Sequence, residues 1–305
     1  MKIKSDNIEL EKAIVKTMAF FDLFSYPLTS LEIWQYLSID IDYKEFQSIL
    51  NSLRLRAVVF KQAGYYFFPD RAEIIQIRKK RYNYFQQKLK LIKKWSGFFK
   101  FISGAKAIFI GNIIGTNNLR REGDIDLFVI CKENQVWRTR FILTLVAKLF
   151  GLRPSRGQEK DKFCLSFFAS QKALDFSNLR LDPDPYFSFW LLGLREAGKK
   201  DKYFNKVLTA NNYWLKNEFP NYFKIFKVED DLKSNEAKEE FVLKGLEKKL
   251  YKLQWKLFPQ EIKSKANKST EVVLGPQILK LHVLDRRQEF YNKYLRNIKK
   301  YESFL

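Results

Sequence analysis

Two aspartates separated by one residue are the feature of this sequence best suited to chemistry. Asp124 and Asp126 open an otherwise apolar stretch that ends at Ile130, and this stretch predicts a buried β-strand. Because alternate side chains of a strand leave the same face, the two carboxylates are expected to lie side by side. Such carboxylates repel each other unless a cation lies between them. Mg²⁺ prefers oxygen ligands and takes phosphates as further ligands, so the pair predicts a Mg²⁺ site.

A glycine-containing turn precedes the aspartates. Residues 107–110 are apolar and predict a buried strand that ends in Gly111-Asn112, and twelve residues separate Gly111 from Asp124. Glycine lets a ligand approach the backbone closely, and the start of the short helix expected next would present N–H groups to an anion. Gly111 and Asn112 are therefore candidate anion-binding residues.

This layout resembles the polymerase-beta-like nucleotidyltransferase superfamily, in which one strand ends in Gly-Ser or Gly-Gly and Asp-hydrophobic-Asp begins the next. Gly111-Asn112 and Asp124-Ile-Asp126 match that order. The resemblance implies that Gly111 and Asn112 bind the phosphates of a nucleoside triphosphate, and that Asp124 and Asp126 hold Mg²⁺ as the catalytic centre. It also implies the reaction, which is Mg²⁺-dependent transfer of a nucleoside monophosphate to a hydroxyl acceptor.

The sequence departs from the superfamily pattern at two places. Asn112 stands where serine is usual, although an amide still donates to a phosphate. The third carboxylate, which usually acts as base on the acceptor hydroxyl, is expected on the strand 162–168. That strand carries Cys164 and Ser166 but no acid. Two nearby acids are candidate substitutes: Asp161 and Asp175.

The missing acid keeps other functions open. A catalytically degenerate regulator with this fold would still bind nucleotide and metal. A nucleic-acid-binding protein is a further alternative, because the 305 residues carry 56 basic and 34 acidic side chains, a net charge of +22. The excess lies after residue 70, so the basic surface of 71–305 is the candidate nucleic-acid surface. Four arginines near the site are candidate phosphate ligands or plain surface charges: Arg120, Arg121, Arg153 and Arg156.

The first 70 residues predict a small domain. Helices are expected at 8–24, after Thr29-Ser-Leu-Glu32, which fits a capping box, and at 42–53. Two apolar runs joined by Lys61-Gln-Ala-Gly64 then predict a hairpin. This order resembles a winged helix-turn-helix domain, in which helix 42–53 would contact nucleic acid. A net charge of −1 over residues 1–70 argues against strong duplex binding and leaves a protein-contact module open. The candidate contact residues are Lys44, Gln47, Ser48, Asn51 and Arg54.

The rest of the chain completes a predicted α+β fold. A connecting helix is expected at 71–100, then a nucleotidyltransferase-like α/β core with a mixed sheet at 101–182, then a helical C-terminal domain at 183–305. An amphipathic helix at 136–149 links the last two core strands, and residues 277–300 also show helical spacing. With its winged helix, this order is similar to a bacterial group of the superfamily.

Composition excludes several classes of protein. Two cysteines, Cys131 and Cys164, and one histidine, His282, are too few for a four-ligand zinc site, and they predict small buried residues and a structural histidine. They also provide no disulfide framework, which favours a reducing, cytoplasmic setting. No apolar N-terminal segment predicts a signal peptide, and no run of about 18 apolar residues predicts a membrane span. No membrane partner is therefore expected.

Overall fold

The computed structural model describes residues 2–111, 114, 118–155, 157–197, 202–226 and 243–305. These residues form eleven α-helices and nine strands, an α+β architecture with a mixed sheet. Tertiary contacts divide the chain into two compact units. The described parts of Met1–Tyr82, Asn212–Glu229 and Arg287–Leu305 form the first unit, and those of Asn83–Asn211 and Asp230–Arg286 form the second.

The elements follow one another along the chain in a fixed order. The N-terminal half contains α1 (Lys2–Asp22), β1 (Leu28–Thr29), α2 (Ser30–Gln35), α3 (Tyr43–Leu55), β2 (Phe60–Gln62), β3 (Tyr65–Phe67), α4 (Ile74–Ser103), β4 (Ala105–Ile110), β5 (Ile125–Cys131) and α5 (Val136–Leu149). The C-terminal half contains β6 (Phe163–Ser170), a 3₁₀-helix (Ser177–Leu179), α6 (Pro185–Gly193), β7 (Arg195–Glu196), α7 (Lys202–Glu218), α8 (Pro220–Ile225), α9 (Gly245–Leu257), α10 (Gln260–Lys265), β8 (Val272–Leu274), β9 (Ile278–Leu281) and α11 (Arg287–Glu302).

The first unit packs α1, α2, α3 and α11 around a three-stranded antiparallel sheet in the order β1-β3-β2. The predicted capping box of α2 is confirmed. The Thr29 hydroxyl accepts a hydrogen bond from the Glu32 N–H, and the Glu32 carboxylate accepts one from the Thr29 N–H. The Asp42 side chain caps α3 in the same way by accepting from the N–H of Lys44. Short local signals therefore fix where these helices begin.

The second unit is organised by a six-stranded sheet in the order β7-β4-β5-β6-β9-β8. Among its described strands, β5 and β6 are the one parallel pair, and all the others run antiparallel. A parallel pair needs a crossover connection, which α5 supplies at the bounds predicted from the sequence. Large side chains from α4, α5 and β6 fill the core beside the sheet: Phe99, Trp137 and Phe163. This core fixes the two strands that carry the candidate site.

The region after residue 183 differs from its prediction as a helical domain. It also contributes the strands β7, β8 and β9 to the sheet of the second unit. The helix predicted at 277–300 is wrong in its first part, because Ile278–Leu281 is a strand and α11 begins only at Arg287. β9 pairs with β6 and satisfies backbone groups that an open edge would leave unpaired. Periodicity alone does not separate a four-residue buried strand from a helical turn.

A residue from α9 caps the start of the crossover helix. Gln135, the N-cap residue that immediately precedes α5, makes no side-chain capping hydrogen bond. Instead, the Glu247 carboxylate accepts hydrogen bonds from the N–H groups of Trp137 at 2.9 Å and Arg138 at 3.0 Å. Glu247 is 8% exposed, so water does not replace these bonds easily. The carboxylate also complements the positive end of the helix dipole.

Replacing Glu247 with alanine is expected to lower the free energy of unfolding by about 2 kcal/mol, because two helix N–H groups lose their acceptor. Chemical denaturation followed by circular dichroism measures this change. Glu261→Ala, which alters an exposed acid in the first turn of α10, is the matched control. Its expected effect is below about 0.5 kcal/mol. Equal losses in the two variants would contradict the capping role of Glu247.

Candidate metal and nucleotide site

The structure brings the two predicted aspartates together at the start of β5. Asp124 lies immediately before this strand and Asp126 is its second residue, while Ile125 points into the core and is fully buried. The adjacent strand β4 ends beside them, where the Gly111 N–H donates to the Asp126 carbonyl at 2.8 Å. Carboxylate oxygens of Asp124 and Asp126 and the sulfur of Cys164 all lie within 4.8 Å of one another. This trio is called the acid–thiol cluster below.

Strand register decides that Cys164 joins the cluster. The parallel pairing of β5 and β6 places Cys164 opposite Asp126. Burial as a small apolar residue was predicted for both cysteines. That holds for Cys131, which is fully buried, but Cys164 is only partly buried and contacts carboxylates. The alternation of Cys164 and Ser166 along an otherwise apolar strand was the available signal, because it marks one polar side of β6.

Burial and neighbouring charges shift the pKa values of Asp126 and Cys164, the paired residues of β5 and β6. Burial, and after it the negative charge of Asp124, raise the pKa of Asp126 to about 6, against a hydrogen bond from the Cys164 thiol. Burial and the neighbouring Asp126 also raise the pKa of the Cys164 thiol. The thiol is therefore protonated at neutral pH and donates its hydrogen to the carboxylate.

The donor set fits one hard divalent cation. Two carboxylates supply the oxygen ligands that Mg²⁺ takes from proteins, and water or phosphate oxygens complete its coordination. A protonated thiol is a poor ligand for such an ion, because the thiolate is the form that binds metals. Asp124 and Asp126 are thus the residues that would hold Mg²⁺, and Cys164 would stand beside it.

The two acids considered as substitutes for the third carboxylate have other partners. Asp161 forms an ion pair with Lys88 at 3.1 Å. The Asp175 carboxylate accepts a hydrogen bond from the N–H of Ser177 at the start of the 3₁₀-helix. Neither belongs to the acid–thiol cluster, and a role for one of them as the missing base stays a prediction. Cys164 is the third member of the acid–thiol cluster because the strand register pairs it with Asp126.

A buried lysine supports the loop that carries Asp124. Lys88, on α4, is 3% exposed, and its ammonium group donates to the carbonyl of Gly123. Burial and the charge of Glu159 raise the pKa of Asp124, whereas the positive charges of Lys88 and Arg153 oppose that rise. Nothing in the local sequence of α4 distinguishes Lys88 from its many exposed lysines, so sequence reasoning missed it.

The arginines that flank the site in sequence have different surroundings in the structure. Arg153 donates to the carbonyl of Phe163, where β6 begins. Arg120 and Arg121 are exposed, and Arg121 pairs with the neighbouring Glu122 at 3.4 Å. Arg153 is therefore the flanking arginine that the structure places beside the acids, and Arg156 lies outside the described residues.

Gly111 is closely covered by an aromatic ring. A Cβ at this position would lie 3.3 Å from Nε1 of Trp190, a residue of α6. The absence of a side chain makes room for Trp190, and contact with phosphates stays a prediction for Gly111. Asn112, the second predicted phosphate ligand, lies outside the described residues.

The single histidine is held by the strand that carries Cys164. Nε2 of His282 lies 2.9 Å from the hydroxyl of Ser166, within hydrogen-bond distance. Its ring also packs edge-on against Phe167 at a centroid distance of 6.3 Å. These contacts agree with the predicted structural role of His282.

In the parts of the chain that the structure describes, no helix is both long enough and apolar enough to cross a bilayer. No protein-family model, curated protein or solved structure matches this chain.

Proposed function

We propose that this protein is a Mg²⁺-dependent nucleotidyltransferase that moves a nucleoside monophosphate from a nucleoside triphosphate to a hydroxyl acceptor. The observation that carries the proposal is the convergence of the Asp124 and Asp126 carboxylates at the start of β5, within 4.8 Å and next to Gly111 at the end of β4. Paired carboxylates beside a glycine turn suit a metal that is bound together with phosphates.

Four residues have different roles in this proposed site. Asp124 and Asp126 hold the cation and Lys88 fixes the loop before them, while Arg153 offers positive charge to a phosphate. When bound, Mg²⁺ supplies charge stabilisation at the α-phosphate. The acceptor hydroxyl needs a base, and the protonated Cys164 thiol does not serve as one. A thiol at position 164 therefore favours one of two alternatives: an enzyme with slow transfer, or a regulator that binds nucleotide without transferring it.

The architecture supports a nucleotidyltransferase core for the second unit and a winged helix-turn-helix domain for the first. The mixed sheet of the second unit and its β5–α5–β6 crossover suit a nucleotidyltransferase core. The first unit has the order α1-β1-α2-α3-β2-β3 and the sheet β1-β3-β2, which suits a winged helix-turn-helix domain. Five polar residues predicted for contact lie on the exposed side of α3, and we propose this side as a partner-binding surface: Lys44, Gln47, Ser48, Asn51 and Arg54.

A thermal-shift panel tests nucleotide binding. ATP, GTP, CTP and UTP are each added with Mg²⁺ and with EDTA, and the melting temperature is recorded. A nucleotide present at a hundred times its dissociation constant stabilises the native state by about 2.7 kcal/mol. At least one nucleotide is expected to raise the melting temperature only when Mg²⁺ is present. No shift with any of the four would contradict the proposal, and release of pyrophosphate would separate the enzyme from the regulator.

A further inference from the structure

We propose that one side of α9 is a docking surface for an acidic amphipathic helix of another protein. Leucines occur along α9 at intervals of four, three and four residues, and this spacing keeps them on one side of a helix. These residues are called the leucine seam below: Leu246, Leu250, Leu253 and Leu257. The proposal goes beyond the proposed function, because the seam requires neither Mg²⁺ nor nucleotide.

Most of the leucine seam is exposed. The exposed fractions are 54% for Leu246, 43% for Leu253 and 72% for Leu257, whereas Leu250 is partly buried and packs against the core. Apolar residues scattered singly over a surface are ordinary, but a contiguous exposed row marks a surface that another molecule covers. The spacing of the seam is that of the a and d positions of a coiled coil, so the complementary surface is a second helix.

Hydrogen bonds to α5 fix the orientation of the seam. In the heptad that the leucines define, Glu247 and Gln254 take the e positions, which adjoin the seam on one side. Glu247 caps α5, and the Gln254 amide donates to the Trp137 carbonyl at 3.0 Å. The side-chain oxygen of Gln254 also accepts a hydrogen bond from Arg140 at 2.6 Å. Because α9 is held by these bonds on its e side, the leucines stay beside the packed surface and do not turn into it.

The charges on the other side of the seam select its occupant. Lys249 and Lys256 take the g positions there, and both are exposed. Charges at e and g positions set partner choice in coiled coils, so the facing positions of the partner should carry glutamate or aspartate. Glu247 is the one acidic residue in the sequence of α9, and its carboxylate is bound to α5. A second copy of α9 would therefore bring further lysines and no available acid, which disfavours self-pairing.

Two synthetic helical peptides test the proposal on the full chain. Both carry leucine at every a and d position, and they differ in having glutamate or lysine at every e and g position. In fluorescence anisotropy, the acidic peptide should bind about tenfold more tightly than the basic one, and added sodium chloride should weaken its binding. Leu253→Gln and Leu257→Gln should each weaken binding of the acidic peptide about tenfold. Leu284→Gln, which alters a leucine of the same unit that is 85% exposed, is the matched control and should bind normally.

Reversal of the flanking charges tests the choice of partner. The double variant Lys249→Glu/Lys256→Glu should bind the basic peptide more tightly than the acidic one. These lysines and the leucines are exposed, so all the variants should keep the wild-type melting temperature and the wild-type response to Mg²⁺ and nucleotide. A preference for the acidic peptide that survives the charge reversal would overturn the proposal. Equal affinities of the wild type and both leucine variants for the acidic peptide would also overturn it.

Two further measurements test other occupants of the seam. In sedimentation experiments, the wild type and Leu257→Gln should have the same mass, and neither should bind vesicles of phosphatidylcholine and phosphatidylserine through the seam. A wild-type dimer that Leu257→Gln dissociates would assign the seam to a second copy of this chain. Vesicle binding that Leu257→Gln abolishes would assign it to an anionic lipid surface. Either result would overturn the proposal.

Discussion

Replacing Asp126 with asparagine is expected to lower the affinity for Mg²⁺ and nucleotide roughly a hundredfold, which corresponds to about 2.7 kcal/mol. The variant keeps the shape of the side chain but removes one of the two negative oxygen ligands in the acid–thiol cluster. Calorimetric titration of the nucleotide that responds in the thermal-shift panel measures the loss. Asp124→Asn should behave similarly. Unchanged affinity in both variants would refute the assigned metal site.

The same Asp126→Asn change is expected to stabilise the ion-free protein at pH 8. The pKa of Asp126 is about 6 in the folded protein, above the ordinary value for an aspartate. Between about pH 4 and 6 the folded state therefore binds more protons than the unfolded state, and wild-type stability falls as the pH rises through this window. By pH 8 this cost reaches about 3 kcal/mol, and asparagine avoids it.

Urea unfolding in EDTA at pH 4 and pH 8 measures this difference. The variant should gain stability over the wild type at pH 8 and little at pH 4, where Asp126 is protonated. Asp40→Asn, which alters an exposed aspartate paired with Lys224, is the matched control and should stay within about 0.5 kcal/mol at both pH values. A loss of stability in Asp126→Asn at pH 8 would contradict the repulsion that we assign to the acid–thiol cluster.

Replacing Cys164 with aspartate is expected to have opposite effects in the absence and in the presence of metal. It adds a third carboxylate within the acid–thiol cluster, because Cys164 is the residue paired with Asp126. Without a cation, the added like charge should lower the free energy of unfolding at pH 8 by about 2 kcal/mol. With Mg²⁺, the extra oxygen ligand should tighten metal binding about tenfold.

The functional consequence of Cys164→Asp tests the role of the missing acid. A carboxylate at this place can accept the proton of the acceptor hydroxyl, which the neutral thiol does not, so pyrophosphate release should increase. Cys164→Ser is the control of matched size without charge, and it should change neither metal affinity nor stability by a comparable amount. Equal Mg²⁺ affinities in the aspartate and serine variants would show that residue 164 does not face the metal.

Several features were fixed by short stretches of sequence. The spacing of Asp124 and Asp126 placed both carboxylates on one side of a strand, since this depends only on the two-residue period of extended backbone. The capping box of Thr29 and Glu32 and the bounds of helix 136–149 were also correct. In each case the interactions or periodicity that decide the structure lie within one element.

Other features depended on pairings between distant parts of the chain. The register of β5 against β6 brought Cys164 to Asp126, whereas Asp161 and Asp175 found partners elsewhere. The pairing of β9 with β6 turned the first part of the predicted helix 277–300 into a strand.

Burial likewise could not be read from the charges themselves. Lys88 and Arg140 look like ordinary surface cations in the sequence, but packing withdraws both from solvent. A local pattern contains neither the strand register nor the protein surface that covers a charge, because both arise from contacts between residues far apart in the chain. The sequence by itself therefore determined the acidic pair, and only the tertiary structure decided which thiol and which buried lysine lie beside it.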